Sequence, residues 1–142
     1  MMRLALGYPD PRAERELLRG GHGRERLPQL GSLWQPEDVA ELRNGITRVT
    51  VSDALIDYVM AIVNVTRSSG AFTQGLSPRA AQSLVRAARA FALLDGRDFV
   101  TPEDVQAIGA AVIGHRLTSR DGARGMLSLA EAHSLISGVA IP

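Results

Sequence analysis

Arg79, Gln82, Arg86 and Arg89 recur at three- and four-residue intervals, the spacing that stacks side chains along one face of a helix. Such a row reads first as a solvated helix face. Arg79 stands apart because it is the second residue of a helix opened by Ser77-Pro78, a cap followed by a proline at the first helical position. A helix N-terminus presents unpaired N–H groups and the positive end of its dipole. A guanidinium placed there adds to an existing attraction for phosphate. Arg79 is either a solvated residue like the rest of its row or, if it does chemistry, a binder of anions.

Other candidates are weaker. His22, His115 and His133 have no metal-ligand spacing, and no Cys is present to supply a thiolate. Asp53 and Asp57 lie one turn apart, which a solvated helix stripe explains more simply than a catalytic pair. No GxSxG elbow occurs. Gly20, Gly21 and Gly23 punctuate a loop from Arg19 to Arg26 that matches neither GxGxxG nor a Walker A loop. All 16 basic residues are Arg. Without a Lys to reach the β- and γ-phosphates, the chain contains no P-loop and is expected to be inactive as an ATPase by itself.

Five or six helices are expected to position these residues. Asp10-Pro11 starts the first, with Leu17 and Leu18 as its apolar side, and it should stop at Gly20-Gly21. Pro36-Glu37-Asp38 starts the second, which Gly45 should weaken, leaving Ile46 to Val51 extended. Ser52 caps a third helix to about Thr66, apolar almost all round, as expected in the middle of a bundle. The fourth should run from Pro78 to about Leu94 with Ala81, Leu84, Ala88 and Phe91 inward. Thr101 caps the fifth, with Asp104 as its reciprocal partner and Val105, Ile108 and Val112 as the buried stripe. His115 and Arg116 close that helix. After a looser stretch from Thr118 to Gly125, a sixth helix is expected from about Leu127 to Ser137. The fold class is all-α, a bundle of five or six helices, with short extended pieces at Val49–Val51 and Phe99–Val100 placed to pair.

Composition agrees with one domain spanning residues 1–142, of which 1–9 read as a linker. Hydrophobic residues make up 45% of the chain, charged residues 22% and aromatic residues 4%, so the core must be aliphatic. A net charge of +1 argues against wrapping nucleic acid or docking on an anionic membrane. No apolar run approaches the roughly 20 residues that span a bilayer. The absence of Cys fits a reducing, cytoplasmic setting.

Several blocks, in order, resemble the C-terminal lid of MoxR-type AAA+ ATPases. Leu6-Gly7-Tyr8-Pro9 is similar to the segment that joins the ATPase core to the lid. Gly75-Leu76-Ser77-Pro78-Arg79-Ala80 is similar to the family's GASPRA motif, with Leu76 in place of a small residue. Ala87-Ala88-Arg89-Ala90, Gly96-Arg97-Asp98-Phe99-Val100, Thr101-Pro102-Glu103-Asp104-Val105, His115-Arg116-Leu117 and the closing Val139-Ala140-Ile141-Pro142 match downstream blocks. The resemblance implies an AAA+ lid bundle carrying a sensor 2 arginine at Arg79, with Ser77 and Tyr8 beside the nucleotide. It implies a parent that binds ATP with Mg²⁺, assembles into a ring, commonly a hexamer, and remodels other proteins. Its partners would be its own N-terminal core and von Willebrand factor A-domain proteins. Walker A, Walker B, sensor 1 and the arginine finger have no counterpart here, and Met1-Met2 before a mid-family sequence suggests a fragment. A histone-fold-like module and an adaptor that only binds proteins stand as alternative readings.

Overall fold

The computed structural model describes residues 1–20, 27–121 and 125–141. The glycine loop from Arg19 to Arg26, with His22, falls almost wholly outside the described residues, as does Pro142. Among the described residues six α-helices follow one another: α1 (Pro11–Leu18), α2 (Pro36–Arg48), α3 (Asp53–Ser68), α4 (Pro78–Leu94), α5 (Pro102–Ile113) and α6 (Leu129–Ser137), with a short 3-10 turn, Gly114–Arg116, after α5.

Local chemistry sets most of their starts. Asp10 accepts hydrogen bonds from the N–H groups of Arg12 and Ala13. Ser52 accepts from Leu55 N–H, and Ser77 from Ala80 N–H. Thr101 and Asp104 form the expected reciprocal box. Ser128 and Glu131 form another, whose Ser-x-x-Glu pattern is visible in the sequence and places the start of α6 two residues later than expected.

At the centre, α4 packs on α5 and α5 on α6, while α2 and α3 lean on α4. The core is aliphatic: Leu55, Val59, Ile62, Val63, Leu84, Ala88, Ala92, Val105, Val112, Ile113, Leu117 and Ile136 are all buried. Tyr58 is the one aromatic in it among the described residues. Its hydroxyl donates to the Ile136 carbonyl at 3.4 Å and accepts from Gln106 Nε2 at 3.1 Å. Tyr58→Phe should keep the fold and cost about 1 kcal/mol, because it removes the hydroxyl while leaving the ring's packing. Urea unfolding would measure this, and an unchanged midpoint would show that the hydroxyl contributes nothing net.

Four expectations about packing need correction. The second helix does not fail at Gly45 but continues through Ile46 and Thr47 to Arg48. Gly45 is buried there, and a Cβ would come within 3.1 Å of Leu93 Cδ2, a side-chain end that would have to shift by a few tenths of an ångström. Helix α3 is not sheathed all round: Ile56, Met60 and Val65 are exposed, because only one side of it meets α4 and α5. On α4 the inward face is rotated toward Ala80, Leu84, Ala87, Ala88 and Ala92, leaving Phe91 39% exposed. Small residues on that face let α4 and α5 lie close. Finally, α1 buries nothing, and Leu17 and Leu18 are both exposed.

The two extended pieces do pair. Thr50 and Phe99 form a parallel bridge, with Thr50 N–H donating to Asp98 O and Val100 N–H to Thr50 O. The pairing lies within one chain, whereas the histone-like reading needs it between two.

Candidate functional site

Ser77-Pro78-Arg79 is held by the end of α3. Leu76 is buried, and a buried peptide group must find partners inside the protein. Its N–H donates to Thr66 Oγ1 at 3.0 Å, and its carbonyl accepts from Arg67 Nε at 3.0 Å and from a terminal Arg67 nitrogen at 2.8 Å. Gly75 lies so near the same turn that a Cβ would fall 2.8 Å from Arg67 Cα and 2.6 Å from its Cγ. Only glycine fits there without displacing backbone. Nothing in the spacing of Thr66 and Arg67 announces this role, since a basic residue in the last turn of a helix is accounted for by the dipole alone.

From that anchor α4 starts. Ser77 caps it, Pro78 takes its first position, and Arg79 follows with an exposed side chain. Among the described residues the Arg79 guanidinium has no hydrogen bond or ion pair. Ser83 Oγ donates back to the Arg79 carbonyl and steadies the first turn. Ser77 and Arg79 are thus brought together. Tyr8 is fully exposed in the N-terminal segment, which lies against α5 through Arg3 N–H and Ala111 O. No hydrogen bond or ring contact joins Tyr8 to Ser77 or Arg79.

The rest of the arginine row meets a different environment. Arg86 and Arg89 line a groove of about 520 Å³ together with Ile46, Ile56, Met60 and Val85. Arg86 is exposed, whereas Arg89 is half-buried, and its Nε is shielded from solvent without a partner among the described residues. His115 is half-buried near the N-terminal segment. Its loss of solvent, and next to that the neighbouring Arg116, hold its pKa below the ordinary value. His133, Asp53 and Asp57 are exposed. Among the described residues no group of three His, Asp or Glu is placed to hold a metal ion.

Comparison with known proteins decides the family. The family model described as AAA lid domain matches residues 64–136, a little over half of the chain and including the whole of the Arg67–Arg79 arrangement. The chain belongs to the AAA lid domain family. It is 34% identical over 127 residues to Chaperone MoxR1 of Mycobacterium tuberculosis, covering 82% of this chain and 33% of that protein. It is 29% identical to YeaC of Bacillus subtilis, covering 100% of this chain and 45% of that protein. A crystal structure described as a "putative ATPase" from Cytophaga hutchinsonii superposes with a TM-score of 0.81 at 29% identity, covering all of this chain and 46% of that one. The chain therefore spans less than half the length of these relatives. The lid reading, the MoxR resemblance and the all-α bundle stand. No helix among the described residues is long and apolar enough to cross a membrane.

Proposed function

We propose that this lid closes over ATP held by an ATPase core and brings Arg79, as a sensor 2 residue, to the γ-phosphate. The observation that carries the reading is an exposed guanidinium, unpartnered among the described residues, at the second position of a capped helix whose start is pinned to α3. In phosphoryl transfer, negative charge spreads over the γ-phosphate oxygens, and positioned cations stabilise it. Arg79 supplies such a cation only when the lid is shut. Once the γ-phosphate has left, that contact is gone and the lid relaxes, so chemistry becomes a domain rotation.

Ser77 and Tyr8 complete the proposed nucleotide-facing set. Ser77 acts as the cap that holds Arg79 in place, and Tyr8 lies in the segment that would join core and lid. In the whole protein the ATP would be bound with Mg²⁺ on the core; among the described residues of the lid no group of three His, Asp or Glu is placed to hold the ion. At the level of the whole protein, the proposal extends to a ring, commonly a hexamer, with chaperone-like remodelling, von Willebrand factor A-domain partners and a cytoplasmic location. Support for that extension is family membership and the chaperone name of one relative.

Hydrogen exchange tests lid closure directly. In the complete protein, a non-hydrolysable ATP analogue should slow exchange over residues 75–83 relative to ADP, because only the analogue has a γ-phosphate for Arg79. Equal exchange with both nucleotides would sink the reading.

A further inference from the structure

We infer that Thr66 and Arg67 are the positioning residues that aim Arg79, so that the last turn of α3 and the first turn of α4 act as one unit. The inference rests on the reading of Arg79 given above and extends it to a second helix. Arg79 has no side-chain partner of its own among the described residues, so its direction is inherited from the backbone that carries it. That backbone is fixed three residues upstream. The Leu76 peptide groups are held on both sides, by Thr66 Oγ1 at the N–H and by two Arg67 nitrogens at the carbonyl. Thr66 is itself oriented, because its hydroxyl donates to the Val63 carbonyl at 2.6 Å. Gly75 closes the remaining space against Arg67. Downstream of Leu76, Ser77 caps the helix and Pro78 locks its own φ, which leaves little slack before Arg79.

The bidentate contact from Arg67 is the part that a simpler cation would not reproduce. A lysine in the last turn of α3 would satisfy the helix dipole equally well, but it lacks the planar fork that fixes the angle of the Leu76 carbonyl. A merely stabilising Arg67 would change the unfolding temperature and leave turnover below that temperature intact. A positioning Arg67 changes turnover, since displacing a catalytic group by about 1 Å can cost roughly 10² in rate.

The test is a double-mutant cycle in the complete ATPase, with kcat, ADP affinity and unfolding temperature measured for each protein. Arg67→Ala should lower kcat by roughly 10-fold to 10²-fold with ADP affinity retained. Arg67→Gln keeps one donor and guards against a variant that fails to fold; it should fall between Ala and the parent. Adding Arg67→Ala to Arg79→Ala should cost little more than Arg79→Ala alone, because a misaimed and an absent guanidinium are equally useless. Thr66→Val should move kcat in the same direction, and Thr66→Ser, which keeps the hydroxyl, should not. If the Arg67 variants lose unfolding temperature but keep kcat, or if their effects multiply with that of Arg79→Ala, the positioning role is overturned while the reading of Arg79 survives. If Arg79→Ala itself is silent, it is the reading of Arg79 that fails.

Discussion

Under the sensor 2 role proposed for it, Arg79→Ala is expected to lower kcat of an ATPase carrying this lid by about 10³, the lower range for an arginine that contacts a transferring phosphoryl group, while ADP binds essentially as before. The asymmetry follows from what the guanidinium is proposed to touch. ADP has no γ-phosphate, so its bound state never included the contact. ATP has one, and the contact strengthens as charge builds on the departing phosphoryl oxygens. Only an interaction stronger in the transition state than in the ground state raises kcat. Arg79→Lys should recover part of the loss, since the ammonium keeps the charge but not the paired, planar donors. Arg86→Ala is the control of choice: it lies on the same helix and is exposed, yet faces the groove between α2, α3 and α4. Arg89→Ala should also have the smaller effect on kcat, although its half-buried side chain contributes packing that Arg86 does not. Steady-state hydrolysis with ADP competition checks all four variants. Parental turnover by Arg79→Ala would make Arg79 a solvated helix residue.

The sequence announces Arg79 because its signal is local. A cap, a proline and an arginine in consecutive positions define a helix start whatever the rest of the chain does; Asp10, Ser52 and Ser77 cap by side chain as expected, and Thr101 takes the cap position through its N–H bond to Asp104. What holds that start is not local. Arg67 reaches across to residue 76, and Gly75 is required by a backbone that approaches from α3 rather than by a turn of its own. One-dimensional spacing carries no trace of either fact.

Buried faces show the same division. The fifth helix has a clean stripe, and Val105, Ile108 and Val112 are inward as expected. On α4, alanines dominate, and every third or fourth position is small enough to face either way. The choice is made by the helix that packs there, which takes Ala87 and Ala92 and leaves Phe91 outside. Helix α3 misleads for the opposite reason. Its apolar residues encircle it, yet only the side holding Tyr58, Val59, Ile62 and Val63 meets the core, and Ile56 and Met60 are left as a wall of the groove. Excess apolar surface is not itself evidence of burial in the same chain.

Asp104→Ala should produce a large loss of stability, about 2–3 kcal/mol at neutral pH, because it removes hydrogen bonds to a charged partner from an almost fully buried carboxylate while Arg97 stays partly exposed. Asp104 is almost fully buried and answers four donors: both terminal Arg97 nitrogens, one of them at 2.8 Å, the Thr101 N–H at 2.8 Å and the Thr101 hydroxyl at 3.3 Å. Arg97 arrives there through the end of α4. Gly96 turns with a φ of 76°, its N–H donating to Leu93 O while Arg97 N–H donates to Ala92 O, a closure that favours glycine. Removing Asp104 takes the cap of α5 and the more buried of two carboxylate partners from Arg97, which keeps Asp95 and the Phe99 carbonyl. Burial pushes the Asp104 carboxyl up, but its hydrogen bonds with Arg97 and then with the Thr101 N–H outweigh that and hold its pKa below the usual carboxylate value. The folded state therefore favours the ionised form, and the contribution is fully present above the unfolded value near 4. It is lost as pH falls through the lower, folded value, so the stability gap between the parent and Asp104→Ala should narrow in acid. Asp104→Asn retains an acceptor for the cap without the charge, and should fall between the two. Urea unfolding followed by circular dichroism from pH 7 down to about 3 measures the gap. A gap under about 1 kcal/mol at pH 7, or one that widens in acid, would mean that the pair does no more than a solvent-exposed bridge does.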